Sequence, residues 1–183
     1  KKIGFKKIGK NCKISKSIST YNLIGSLGDN IRIDDDVQLK GKIDLKSNVH
    51  IARGCTLSGA KHGIFVDDLV SLANYVQIYS SSDDYYSPSI AVATLNSEMR
   101  KKFSKVYEKK IKIGKCCIIG TLSVLLPGAI IGDFSSIGAL TIVNKKISKG
   151  FFFQSKAKEK LKKRDVKLFE RLYKGYKKLN ENK

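Results

Sequence analysis

Apolar residues recur along this chain every sixth position. Between residues 113 and 144 an aliphatic side chain stands at Ile113, Ile119, Leu125, Ile131, Ile137 and Val143, and glycine follows four of them, at Gly114, Gly120, Gly132 and Gly138. Upstream, Ile33, Leu39, Leu45, Ile51 and Leu57 keep the same spacing. Val66, Leu72 and Ile78 resume it after a nine-residue step. A second apolar position lies four residues after many of these, at Val37, Ile43, Val49, Cys55, Val70, Val76 and Cys117. A period of six fits neither an amphipathic helix nor an alternating strand. It predicts an all-β parallel β-helix of hexapeptide repeats, a prism whose short strands form flat faces and whose small residues turn the corners. A β-sandwich would need alternation and turns every ~8–12 residues, and the chain has neither pattern.

The period also predicts neighbours. Three repeats make an 18-residue coil, and coils stack ~4.8 Å apart by ordinary strand spacing. Leu57, Ile78, Leu125 and Val143 then share one column, and Ile51, Leu72, Ile119 and Ile137 a second. His50 points outward on the face that bears Ser71 and Ile118. The step after Leu57 holds Ser58, Gly59, Ala60, Lys61, His62 and Gly63. A long excursion, residues 79–110, leaves from the same corner one coil later, which is expected to bring His62 near Asp83 and Asp84. The excursion opens with the polar stretch YSSSDDYYSPS, and its second half is expected to be partly helical. An excursion of this length inside a compact domain is rarely without a function.

Three segments result: an irregular opening coil that caps the prism over 1–30, the β-helix over 31–147 with its loop 79–110, and a basic C-terminal helix over 148–183. In the last, Leu161, Leu168, Leu172, Tyr176 and Leu179 fall near one stripe.

The formal net charge is +20. That balance suits an anionic cofactor, an anionic membrane surface or nucleic acid. No nucleic-acid motif accompanies it, so no nucleic-acid partner is expected. The chain has no apolar run of ~18 residues and no secretory signal pattern. It is expected to be cytoplasmic, with peripheral contact at the inner membrane face through the basic helix. Cys55 and Cys117 take inward positions, and the adjacent Cys116 and Cys117 point apart, which predicts reduced thiols. Two histidines and no CxxC spacing leave no zinc site, so no metal is expected.

The segment IGKCCIIGTLSVLLPGAIIGDFSSIGALTIVNKKI resembles the hexapeptide-repeat (left-handed β-helix) acyltransferases, and VQIYSSSDDYYS resembles the catalytic-loop region of their sugar acetyltransferases. The resemblance implies an acetyl-CoA-dependent enzyme, a homotrimer with sites between subunits, and a free, nucleotide-linked or lipid-linked saccharide as acceptor in cell-surface polysaccharide or lipopolysaccharide biosynthesis. It implies coenzyme A contacts at Gly120, Thr121, Ala139, Asn144 and Lys145, and an oxyanion site at backbone N–H groups near Gly120. Departures are plain too. The loop histidine of maltose-type and galactoside-type enzymes aligns with Asp83, and the downstream turn reads FFFQSKAKEK.

Acyl transfer to a hydroxyl or amine needs a base for the acceptor proton and a donor for the oxyanion. Histidine suits the first task near neutral pH, and a His–Asp pair orients it. The candidates are His62 with Asp83 and Asp84, His50 acting across a subunit interface, or an aspartate alone. A β-helix scaffold or binding protein that has lost the catalytic histidine remains the alternative.

Overall fold

A computed structural model describes residues 4–155 and residues 167, 168, 170, 171, 174, 175 and 178. The strands run parallel from coil to coil and form three ladders. Face I stacks Lys13–Ile14, Arg32–Ile33, His50–Ile51, Ser71–Leu72, Ile118–Ile119, Ser136–Ile137 and Phe152–Phe153. Face II stacks the first halves of Ser19–Leu27 and Gln38–Leu45 with Thr56–Ser58, Gln77–Tyr79, Val124–Leu125 and Ile142–Val143. Face III joins Lys7–Ile8, the second halves of Ser19–Leu27 and Gln38–Leu45, Ile64–Val66, Ile111–Ile113, Ile130–Ile131 and Lys146–Ile147. Both expected columns are present: Leu57↔Ile78↔Leu125↔Val143 and Ile51↔Leu72↔Ile119↔Ile137.

Every repeat-start aliphatic from Ile33 to Val143 is buried. So is the second inward position, which changes character along the axis. It is Ile31, Val37, Ile43 and Val49 in the early coils, and Ser123, Ala129, Ser135 and Thr141 in the late ones. The late hydroxyls satisfy corner carbonyls: Ser123 donates to Gly138 O and Ser135 to Ser148 O, both at 2.9 Å. A buried hydroxyl without such an acceptor would be costly.

The corners have a fixed backbone signature. The third residue after an inward aliphatic takes a left-handed conformation, as at Asn30, Asn48, Leu69, Tyr75, Cys116, Leu122, Phe134 and Leu140, with φ between 55° and 60°. Asparagine tolerates this better than most side chains. Asn11, Asn30 and Asn48 use it to build a ladder, with amide bonds of 2.9 and 3.1 Å.

The opening residues, 4–30, carry strands Lys7–Ile8, Lys13–Ile14 and Ser19–Leu27, with a register shift between Tyr21 and Ile24. The chain divides into two compact units, the solenoid (Lys1–Ser81 with Glu108–Lys156) and a smaller one (Ser82–Tyr107 with Ala157–Lys183). The smaller unit holds the helix Ser97–Phe103, capped by Asn96, whose side chain accepts from Met99 N. At the solenoid's edge the excursion is closed at its neck: Ser80 N donates to Ser58 O and Lys109 N to Ser80 O, both at 2.9 Å. Lys167, Leu168, Glu170, Arg171, Lys174, Gly175 and Lys178 are helical. Leu161, Leu172, Tyr176 and Leu179 lie outside the described residues. No described helix is long and apolar enough to cross a membrane.

Candidate active site

Gly120 and Thr121 turn the corner from face I to face II, one coil before Ala139. A Cβ on Gly120 would sit 2.4 Å from Ala139 N, so the coils meet there too closely for any side chain. The Thr121 hydroxyl donates to Asn74 O at 2.6 Å, and its carbonyl accepts from Leu140 N at 2.9 Å. Asn144 and Lys145 stand exposed at the opposite edge of face II. Lys145 Nζ lies 4.6 Å from the Phe153 ring centroid. The residues expected to hold coenzyme A therefore flank one strip of face II, whose outward side chains are Val124 and Ile142.

Gly120 N itself is engaged, donating to Ile137 O at 2.8 Å. Ladder closure takes that N–H out of reach of an oxyanion. The next one, Thr121 N, meets no acceptor among the described residues.

His50 faces outward on face I between Arg32 and Ser71, as its column requires. Its Nε2 lies 2.9 Å from Asp34 Oδ2, while Arg32 Nε donates to Asp34 Oδ1 at 2.7 Å. Burial alone would raise Asp34, but the hydrogen bonds from His50 and Arg32 outweigh it and hold the carboxyl below its ordinary range. The sequence reading missed Asp34. The signal was available, because an 18-residue coil places Arg32 under His50 and Asp34 two residues on.

His62 sits on the corner between faces II and III, with Nε2 3.7 Å from Glu108 Oε2. Glu108 was not foreseen, since the register on return from the excursion is not written in any period. In the smaller unit Asp83 pairs with Arg100 at 3.3 Å. Asp84 is buried and accepts from Tyr86 N and Ser87 N at 2.9 and 2.8 Å. Hydrogen bonds from Ser87 and Tyr86 outweigh burial and lower its pKa, which suits an Asx turn better than a proton acceptor. No cluster of three or more His, Cys, Asp or Glu suited to a metal occurs among the described residues.

A curated relative, the dTDP-4-amino-4,6-dideoxy-D-glucose acyltransferase of Escherichia coli, is 34% identical over 149 residues, which cover 79% of this chain and 75% of the relative. The chain belongs to the hexapeptide-repeat sugar acyltransferases. Membership sets aside the non-catalytic scaffold: the protein is an acyltransferase. Among solved structures, AntD, an N-acyltransferase from Bacillus cereus in complex with dTDP and 3-hydroxybutyryl-CoA, is 30% identical with a TM-score of 0.78, over 98% of this chain and 94% of that one. A variant of AntD bound to dTDP-4-amino-4,6-dideoxyglucose and coenzyme A is 31% identical with a TM-score of 0.79, over 97% and 94%. The maltose O-acetyltransferase from Clostridium difficile 630, at 24% identity and a TM-score of 0.50 over 85% and 71%, shares the fold. No family model matches the chain.

Proposed function

We propose that this acyltransferase joins an acyl group, acetyl or another short chain, from coenzyme A to the amine of a dTDP-linked 4-amino-4,6-dideoxyhexose. The observation that carries the reading is the kinship with the Escherichia coli enzyme named for that sugar nucleotide. Face II supports it, with an apolar strip for the pantetheine arm between the small corner of Gly120, Thr121 and Ala139 and the polar-basic edge of Asn144 and Lys145.

The neutral amine attacks the thioester carbonyl carbon, forming the C–N bond. Thr121 N–H, which meets no acceptor among the described residues, is left to bond the pantetheine arm at its own corner. The C–S bond then breaks, and its electron pair leaves with the thiolate. The proton lost by the amine passes to His62, on the edge of face II, with Glu108 orienting the ring. The 2.9 Å bond to Asp34 favours a second reading, in which His50 of a neighbouring subunit takes that proton. Asp83 and Asp84 hold the excursion in shape.

The enzyme works as a homotrimer. Exposed Ile118, Leu122, Phe134, Leu140 and Phe152 line the late coils of face I and its corners, and apolar patches of this kind are covered in assemblies. Its setting is cytoplasmic synthesis of a cell-surface polysaccharide or lipopolysaccharide. Lys- and Arg-rich residues 148–183 draw it to the anionic inner face of the membrane.

The test is thiol release from acetyl-CoA and 3-hydroxybutyryl-CoA with dTDP-4-amino-4,6-dideoxyglucose, with the amide confirmed by mass. A His62→Gln variant is expected to lose about 10²- to 10⁴-fold in kcat/KM, the usual range for general-base removal. A loss confined to His50→Gln transfers the role to His50. No thiol release with any dTDP-amino sugar overturns the reading.

A further inference from the structure

The first coil differs in charge from the coil stacked on it. Residues 4–28 hold five lysines, Lys6, Lys7, Lys10, Lys13 and Lys16, and no acid. The following stretch of equal length, 29–53, balances five aspartates against five lysines and arginines. All five lysines of the first coil are exposed, and none enters an ion pair among the described residues. The aspartates of the next coil are engaged elsewhere. Asp29 accepts from Lys10 N at 2.6 Å, Asp34 pairs with Arg32 and His50, Asp35 accepts from Ser17 Oγ at 3.3 Å, Asp36 pairs with Arg53, and Asp44 accepts from Ser26 Oγ at 2.8 Å.

The lysines form a collar. Lys7 stands on face III, Lys10 on the corner between faces III and I, Lys13 on face I, and Lys16 on the corner beyond it. Inside the collar the coil is open. Lys7–Ile8 pairs only with Ser26–Leu27, and Lys13–Ile14 only with Arg32–Ile33, among the described residues. Ile8 takes an inward position in register with Leu27, yet it is 44% exposed where Leu27 is 2%. Phe5, Ile14 and Ile18 lie half-buried against the same core.

A partner for this surface must meet both the cations and the uncovered isoleucine. A second copy docked end to end would press two collars together against like-charge repulsion, and lysines on an exposed strand edge oppose such pairing. Nucleic acid would meet the charge and leave Ile8 without a role. An anionic lipid surface answers both features: its potential attracts lysines, and the boundary between headgroups and acyl chains takes up an apolar side chain. We infer that the outer side of the first coil is a docking surface for an anionic phospholipid membrane, with the lysine collar on the headgroups and Ile8 inserted among them. This contact is separate from the one proposed above for residues 148–183, and it does not depend on which acyl group or sugar the enzyme uses.

Sedimentation of the full chain with vesicles tests it. The protein is expected to bind vesicles of phosphatidylcholine with phosphatidylserine and not vesicles of phosphatidylcholine alone. Lys10→Glu with Lys13→Glu should weaken that binding at least about 25-fold, because each lysine at an anionic surface is worth about fivefold. Ile8→Ser should weaken it about 3- to 10-fold with no change of charge. Thermal melts of these variants should match the wild type, so that a loss reports the surface and not the fold. Lys112→Glu with Lys146→Glu changes the net charge equally, but Lys112 stands four coils from Lys7, about 19 Å at ordinary spacing, and Lys146 farther. Beyond the ~10 Å reach of an exposed charge at 0.1 M salt, that pair should change binding by less than about twofold. Unchanged binding in either first-coil variant, or an equal loss in the face III pair, overturns the assignment. So does vesicle binding lost only when residues 156–183 are removed. Binding of duplex DNA or inorganic phosphate that Lys10→Glu with Lys13→Glu weakens, without vesicle binding, overturns it as well.

Discussion

Cys55 carries its thiol inside the prism, donating to Ala73 O at 3.1 Å, and burial pushes its pKa up to about 11. Burial also raises Cys117, which donates to Gly132 O at 3.2 Å. The thiolate is the reactive species, so neither cysteine should react with a disulfide reagent at pH 8 until the protein unfolds, whereas exposed Cys116 should. Counting modified thiols by mass checks this. Asp34 sets a pH dependence. Its folded pKa lies below the unfolded value, so the stability it contributes is complete above the ordinary carboxylate range and is lost as pH falls through the folded value. Denaturant melts at pH 5 and pH 3 should show a smaller loss for Asp34→Asn than for the wild type. Asn30→Ala should cost about 1–2 kcal/mol, removing a ladder amide and placing alanine at φ 56°. Residue identity was legible where the period fixed a column, as for His50. It was not legible for Glu108, which the chain reaches only after residues with no repeat.

Each coil is an element in its own right, and the six-residue period predicts it because every repeat must bury one aliphatic side chain. That is why Leu57, Ile78, Leu125 and Val143 could be aligned from spacing alone. The change from Val49 to Ser135 at the second inward position was not foreseen, since Ser and Thr leave no hydrophobic mark. The same geometry makes Gly120 indispensable to packing. Gly120→Ala drives a methyl against Ala139 N and should destabilise the solenoid by about 1–3 kcal/mol. Thermal melting without coenzyme A isolates this effect from any role in ligand contact. In the excursion, the helical stretch 96–110 was partly legible, and its helix spans Ser97–Phe103. The Asp83–Arg100 pair was not, because it joins residues 17 apart with no shared period.

At the scale of the whole molecule, the late coils of face I and its corners expose Ile118, Leu122, Phe134, Leu140 and Phe152, and the outward column of face III mixes Lys7, Lys112 and Lys146 with Ser26, Asp44, Phe65 and Ile130. Association through face I should give a mass of three chains in light scattering, and Leu140→Lys with Ile118→Lys should release monomers. Removing residues 156–183 should weaken binding to anionic vesicles, most visibly at low salt, because attraction between exposed charges is screened within ~10 Å at 0.1 M salt.

The closed neck at Ser80 has a consequence for how such enzymes diversify. Ser58, Ser80 and Lys109 join the two ends of the excursion by backbone bonds, which do not depend on which side chains those positions carry. The neck is an attachment point for interchangeable cassettes. Replacing residues 82–107 as a block, with Glu108 kept beside His62, should leave the prism folded, and the thermal melt of such a chimera would show it.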